Sequence, residues 1–145
     1  MCLFLALFLE FPNTDHFSRI RYAAPPTGSL RWQAPQAPAV NRSTVILASS
    51  FAPICPNSPL SLGPFGSAGQ IFGDEDCLFL NVYAPTNAGN IPVLVYIHGG
   101  GYGAGNGQQD LTSIINGNGN NFIAVVIQYR VRFTILRFGI LVDAI

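Results

Sequence analysis

"PVLVYIHGGGYGAGN" (residues 92–106) is a strand pattern that runs directly into bare backbone. Its first half has almost no polar residue, which is typical of a strand covered on both faces of a parallel sheet. Its second half contains three consecutive glycines, which predict a backbone that another group approaches closely. Glycine-rich turns at the carboxyl end of a parallel strand lie where open α/β sheets bind their ligands. The stretch therefore predicts a sheet strand that ends at a binding loop.

Strand patterns flank this stretch on both sides. "CLFLNVYAP" (77–85) is predicted to be a strand that its proline ends, and "FIAVVIQYR" (122–130) is predicted to be another. Turns rich in Asn and Gly are predicted at 86–90 and 117–121, with a short helix around 110–116. A strand, a crossover and a second strand of this kind predict an α/β fold with a largely parallel sheet.

The composition excludes several classes of protein. The 145 residues are 49% hydrophobic and only 10% charged, which excludes a disordered chain. Seven arginines balance seven acidic residues and there is no lysine, so no basic surface is expected to bind nucleic acid. The apolar run "MCLFLALFLEF" (1–11) is too short to span a bilayer, so no transmembrane segment is predicted. It fits a signal peptide or a buried strand equally.

The region before the strands is rich in proline and contains a cysteine. Eight prolines between residues 22 and 66 predict irregular chain with short strands. Cys55 and Cys77 fit either a disulfide-closed loop or two buried thiols, and their spacing does not indicate a metal site. The sequon at Asn41 fits glycosylation, which together with a disulfide would indicate a secreted protein.

Three kinds of binding site compete for the glycine-rich loop. A phosphate-binding loop requires a lysine, which this chain lacks. A dinucleotide fingerprint requires a further glycine where Asn106 stands. An oxyanion hole requires consecutive small residues whose N–H groups face a cleft, and His-Gly-Gly-Gly after a strand is the lipase and esterase form of that device. A tight structural turn is the remaining alternative, and the strand and histidine ahead of the glycines favour the oxyanion hole.

Four blocks, in order along the chain, resemble the type-B carboxylesterase and lipase family, the cholinesterase-like branch of the α/β-hydrolases. They are "FSRIRYAAPPTGSLRWQAPQAP" (17–38), "FAPICPN" (51–57), "DEDCLFLNVYAP" (74–85) and the stretch at 92–106. The resemblance implies the N-terminal part of an α/β-hydrolase fold, incomplete, with a mostly parallel central sheet. Its two expected units are an atypical apolar, signal-like N-terminus (1–16) and a partial carboxylesterase domain (17–145).

The resemblance implies roles for particular residues. Gly100 and Gly101 would donate hydrogen bonds to an oxyanion, and His98 and Gly99 would support the loop, without His98 acting as the catalytic base. Tyr102 would line the substrate pocket, although as an isolated aromatic it could equally belong to a core. The remaining implied features are the disulfide Cys55–Cys77 and the structural ion pair Arg31–Glu75, whose alternative is two unrelated surface charges.

The rest of an esterase site is missing from these residues. Gly-x-Ser-x-Gly does not occur, the serine of "GSAG" (66–69) is displaced by one position, and His16 precedes the expected sheet strands. We therefore expect descent from a serine esterase or lipase that hydrolyses small carboxylic esters through an acyl-enzyme, without cofactor or metal, and a 145-residue chain that is inactive alone. The alternatives are a non-catalytic adhesion or binding module and a truncated or wrongly spliced gene product with foreign sequence near 131–137.

Overall fold

The computed structural model describes residues 4–5, 13–40, 43–57, 72–101 and 103–131. The unusual stretch near 131–137 and the "GSAG" segment therefore lie almost wholly outside the described residues. The strands are β1 (Phe4–Leu5), β2 (Thr14–Arg21), β3 (Ile46–Leu47), β4 (Phe79–Pro85), β5 (Val93–Ile97) and β6 (Ile123–Ile127), with a 3₁₀ turn at Gly28–Leu30 and one helix, α1 (Thr112–Gly117).

The described residues form a four-stranded sheet with the order β2-β4-β6-β5 and a separate, short parallel pair of β1 with β3. β5 and β6 are parallel, in register from Val93 opposite Ile123 to Ile97 opposite Ile127. The loop and α1 connect them, so the predicted strand–crossover–strand unit and its short helix are confirmed. The remaining pairs, β2 with β4 and β4 with β6, are antiparallel.

The sheet of the described residues is therefore mixed, whereas the sequence predicted a mostly parallel one. A short connection between β4 and β5 reverses the chain, and β6 then inserts between them, so β4 must run against β6. The reversal uses Asn87 and Asn90, whose φ angles of 66° and 54° are in the left-handed region that asparagine tolerates. The predicted turn at 86–90 is thus confirmed.

The hydrophobic core lies where α1 packs against the middle of the sheet. Ile115 of α1 is fully buried and contacts a cluster with Tyr83 of β4 and Ala124 and Val126 of β6. β4 buries every second residue, as expected for a strand whose side chains alternate between faces. The helix is only six residues long, so its stability comes from this packing and not from helix propensity.

β5 is the edge strand of this sheet and most of it faces solvent. Val93 is 58% exposed, Val95 53% and Ile97 63%. The expectation that β5 is covered on both faces is therefore wrong for the described residues. The reason is its position at the end of the strand order, where it has one neighbour and only Tyr96 among its side chains packs against the core.

Candidate functional site

The glycine-rich loop leaves the carboxyl end of β5 immediately after Ile97. Gly99, Gly100 and Gly101 are exposed, and the carbonyl oxygen of Gly100 accepts hydrogen bonds from the N–H groups of Gly103 (3.2 Å) and Ala104 (3.0 Å). Within the described part of the chain, the N–H groups of Gly100 and Gly101 donate to no acceptor. Two exposed backbone donors therefore stand at the edge of the sheet where the sequence predicted an oxyanion hole.

Two positions in this loop require glycine for geometric reasons. Gly100 has φ 148°, and a Cβ atom there would overlap the carbonyl of Ala104. Gly105 has φ 109°, and a Cβ atom there would overlap the carbonyl of Gly99 and the ring of His98. The loop thus folds back on itself so closely that only a residue without a side chain fits.

His98 is buried at the start of the loop. Its Nδ1 lies 3.0 Å from the carbonyl oxygen of Gly99, and because a carbonyl only accepts, Nδ1 carries the proton in this contact. The imidazole stacks on the Tyr129 ring with 4.3 Å between centroids, and the Tyr129 hydroxyl donates to the His98 carbonyl oxygen. Among the described residues Nε2 has no partner. These contacts fit the supporting role that the resemblance implies for His98.

Two buried side-chain amides, neither of them predicted from the sequence, hold the other end of the loop. The Asn81 Nδ2 donates to the carbonyl oxygen of Gly107 (2.7 Å), and the N–H of Gly107 donates to the Gln128 Oε1 (2.6 Å). Asn81 is 4% exposed and Gln128 2%. For Asn81 a signal was available in the sequence. The alternation of β4 places this polar residue at an inward position of an apolar strand.

The segment before β4 is cross-linked to its surroundings. Cys55 and Cys77 form a disulfide, the pair that the resemblance implies, and both residues are buried. Arg31 and Glu75 form a two-point ion pair with both contacts at 2.7 Å, and the hydrogen bond to Glu75 raises the pKa of Arg31. A second ion pair, Arg21–Asp76, was not predicted.

Two predicted residues, Tyr102 and Asn41, lie outside the described residues. Their expected roles, in the substrate pocket and as a glycosylation site, stay predictions. The described residues on either side of Tyr102, Gly101 and Gly103, belong to the same loop. In the sequence, Tyr102 follows the two candidate donors directly.

A second cluster of polar side chains lies on β2 around His16, which is inside the sheet and not upstream of it as expected. The His16 Nε2 lies 2.8 Å from the Ser18 Oγ, and its ring stacks on Tyr83 with 4.1 Å between centroids. Burial lowers the pKa of His16, and Asp110 partly opposes this shift. Because Ser18 is 1% exposed, an ester carbonyl cannot reach its hydroxyl, so this serine–histidine pair is structural.

The described residues contain neither a metal-binding cluster nor a membrane-spanning helix. No group of three His, Cys, Asp or Glu residues is arranged to hold a metal ion there. In the same part of the chain, every helix is too short or too polar to cross a membrane.

The chain is similar to esterases of known sequence. Residues 8–138 match the model of the carboxylesterase family. The chain is 37% identical over 131 residues to carboxylesterase 1E of Mus musculus, covering 79% of this chain and 22% of that protein. It is 41% identical over 93 residues to para-nitrobenzyl esterase of Bacillus subtilis (strain 168), covering 63% of this chain and 19% of that protein.

Solved structures show the same relationship. A PNB esterase structure superposes with a TM-score of 0.70 at 33% identity, covering 87% of this chain and 26% of the other. Aspergillus niger EstA superposes with a TM-score of 0.67 at 35% identity, covering 82% of this chain and 22% of the other. The chain thus spans about a quarter or less of the length of these relatives. The chain belongs to the carboxylesterase family, and its described residues form part of that family's α/β-hydrolase fold.

Proposed function

We propose that this chain provides the oxyanion hole of a carboxylic ester hydrolase. The observation that carries the proposal is the pair of exposed N–H groups of Gly100 and Gly101, which have no acceptor among the described residues. When a nucleophile attacks an ester, the carbonyl oxygen gains negative charge, and fixed N–H donors stabilise it. One such donor contributes about 3–4 kcal/mol to the transition state.

The proposed reaction is acyl transfer through a serine nucleophile that these 145 residues do not contain. Its substrate would be a small carboxylic ester, and no step of acyl transfer requires a cofactor. Relatives named for carboxylesters and para-nitrobenzyl esters support this substrate class. Activity on the longer esters that lipases hydrolyse belongs to the same chemistry and would depend on acyl and alcohol pockets built by other segments.

The first experiment joins residues 13–131 to the remainder of the Bacillus subtilis para-nitrobenzyl esterase, replacing its corresponding segment. We expect the chimera to hydrolyse a p-nitrophenyl ester and to be inactivated by a serine-directed phosphonate. The 145-residue chain alone should show no phosphonate-sensitive turnover. Phosphonate-sensitive hydrolysis by the isolated chain would contradict the proposed division of the site.

The role of the glycines is tested within the same chimera. Gly100→Ala should lower kcat by about 10²–10³ with little change in KM, because the new Cβ atom would overlap the Ala104 carbonyl and turn the neighbouring N–H groups away from an oxyanion that exists only in the transition state. Gly89→Ala is the matched control, since a Cβ atom at Gly89 has no neighbour within 4 Å. If the Gly100→Ala and Gly89→Ala variants of the chimera both retain full kcat, Gly100 is not part of the oxyanion hole.

We also propose that the protein enters the secretory pathway. The Cys55–Cys77 disulfide supports this, since such bonds persist in oxidising compartments, as do the apolar signal-like run 1–11 and the Asn41 sequon. Expression in a eukaryotic secretory cell should place the product in the medium, with a glycan that Asn41→Gln removes. Retention in the cytosol with free thiols would overturn this proposal.

A further inference from the structure

We infer that two consecutive residues after β6, Gln128 and Tyr129, are positioning residues that clamp both ends of the glycine-rich loop. Tyr129 holds the beginning of the loop at His98, and Gln128 holds its end at Gly107. The candidate oxyanion donors lie between these two anchors. This inference rests on the proposed function, because it assigns to the clamp the task of setting the direction of those donors.

The first anchor is the Tyr129 side chain. Its ring stacks on the His98 imidazole with an angle of 17° between the planes, and its hydroxyl donates to the His98 carbonyl oxygen. That carbonyl is the last backbone acceptor before Gly99. A tyrosine that follows the neighbouring parallel strand β6 by two residues therefore determines where the chain leaves β5.

The second anchor is Gly107. Its N–H donates to the Gln128 Oε1 (2.6 Å) and its carbonyl accepts from the Asn81 Nδ2 (2.7 Å), so both of its backbone groups are bound by buried amides. A Cβ atom on Gly107 would lie 2.9 Å from the carbonyl oxygen of Ile127, so the loop touches the end of β6 directly. The Gln128 Nε2 also lies 3.4 Å from the carbonyl oxygen of Pro53.

Few backbone hydrogen bonds hold the loop between the anchors among the described residues. Gly103 and Ala104 donate to the Gly100 carbonyl, and no strand pairs with residues 99–105 in the described structure. Six glycines between 99 and 107 give the backbone wide freedom. Both ends of the loop are bound to Gln128 and Tyr129, which directly follow β6, and this restricts that freedom.

The test measures amide hydrogen exchange of the 145-residue chain by mass spectrometry with fragmentation to single residues. Tyr129→Phe keeps the ring and removes the hydroxyl, and Gln128→Met keeps the shape and removes the acceptor. We expect each variant to increase exchange of the Gly103 and Ala104 amides, which donate to the Gly100 carbonyl, about tenfold, the loss expected for one hydrogen bond. The amides of β6 should exchange at the unchanged rate.

Tyr96→Phe is the matched control, because Tyr96 is a half-buried tyrosine of β5 whose hydroxyl has no hydrogen-bond partner among the described residues. It should leave loop exchange unchanged. The clamp is overturned if Tyr129→Phe leaves the loop as protected as in the parent chain, or if loop and β6 amides accelerate equally, which would indicate general destabilisation. If the Gln128→Met variant does not fold, the Tyr129→Phe variant alone tests the clamp.

This readout is independent of ester hydrolysis. An active chimera whose isolated N-terminal chain shows no loop response to Tyr129→Phe would overturn the clamp and leave the proposed function standing. If the chimera is inactive but the loop responds to Tyr129→Phe, the clamp stands as a property of the fold and the proposed function is overturned.

Discussion

At the scale of single residues, glycine positions decide whether the candidate site can form. Gly105 is the sharpest case, because its backbone passes against both the Gly99 carbonyl and the His98 ring. Its φ of 109° is one that residues with side chains rarely adopt. The return path of the loop therefore depends on the absence of one Cβ atom.

We expect Gly105→Ala to lower the free energy of unfolding by about 1–3 kcal/mol, because the new methyl group meets fixed backbone and the φ angle is strained. Urea denaturation of the purified chain measures the change. Gly89→Ala, in open space, should remain within about 0.5 kcal/mol of the parent. Equal effects of the two substitutions would contradict the close approach.

His16 is the second residue with a clear consequence, because its buried ring favours the neutral form. Burial lowers the pKa of His16 in the folded chain below that of the unfolded chain, so the unfolded state binds the proton more tightly. The contribution of His16 to stability is therefore present above its usual pKa, about 6.5, and is lost as the pH falls below it.

We expect the urea midpoint to fall between about pH 7.5 and about pH 5.5, and to fall less in His16→Phe, which keeps the stack on Tyr83 but does not titrate. The difference between the two pH profiles isolates His16 from the carboxylates that titrate in both proteins. Parallel profiles would show that His16 is not desolvated in the folded chain.

At the scale of elements, the segment that leads into β4 is held by covalent and ionic links. The disulfide closes a 22-residue separation, and Arg21 of β2 binds both oxygens of Asp76 at 2.6 and 2.7 Å. The Arg21 guanidinium also lies 4.3 Å from the centre of the Phe79 ring. These links bind β2 and the proline-rich chain to the start of β4.

Reduction of the Cys55–Cys77 disulfide should lower the free energy of unfolding by roughly 3 kcal/mol, because the unfolded chain gains the freedom that the closed loop removes. Urea titrations with and without a reductant measure this in a Cys2→Ser background, which leaves no other thiol. An unchanged midpoint after complete reduction would argue against a stabilising link.

The two ion pairs should differ in their effect. Arg21→Ala should cost about 1 kcal/mol, because that side chain is half-buried, forms two hydrogen bonds and covers an aromatic ring. Arg31→Ala should cost less, because the Arg31 side chain is 50% exposed and water screens its charge. Chemical denaturation at low and high salt compares them. A larger loss for Arg31→Ala would reverse this ranking.

At the scale of the whole molecule, the exposed edge strand is the dominant feature. Val93, Val95 and Ile97 share one face of β5, since side chains alternate along a strand, and all three are more than half exposed. β5 carries no charged residue, and its outer backbone groups have no strand partner among the described residues. Edges of this kind pair with other chains.

We therefore expect the isolated 145-residue chain to self-associate through β5. Val95→Lys should reduce association, because a charge on an edge strand opposes further pairing. Light scattering and size-exclusion chromatography over a concentration series measure it. Val40→Lys, at an exposed position outside the strands, is the control for added charge. If both lysines act equally, net charge and not the edge governs solubility.

The sequence by itself determined the positions of β4, β5, β6 and α1, the crossover between β5 and β6, and the glycine-rich loop that ends β5. These features follow from local patterns, since periodic apolar residues, prolines and Asn-Gly turns act within a few positions of the chain. The tertiary structure alone decided the exposure of β5, the burial of His16 beside Ser18, and the binding of Gly107 by Asn81 and Gln128. Each depends on strand order or on contacts between residues distant in sequence, and no local periodicity encodes which strand becomes the edge or which buried amide meets which carbonyl.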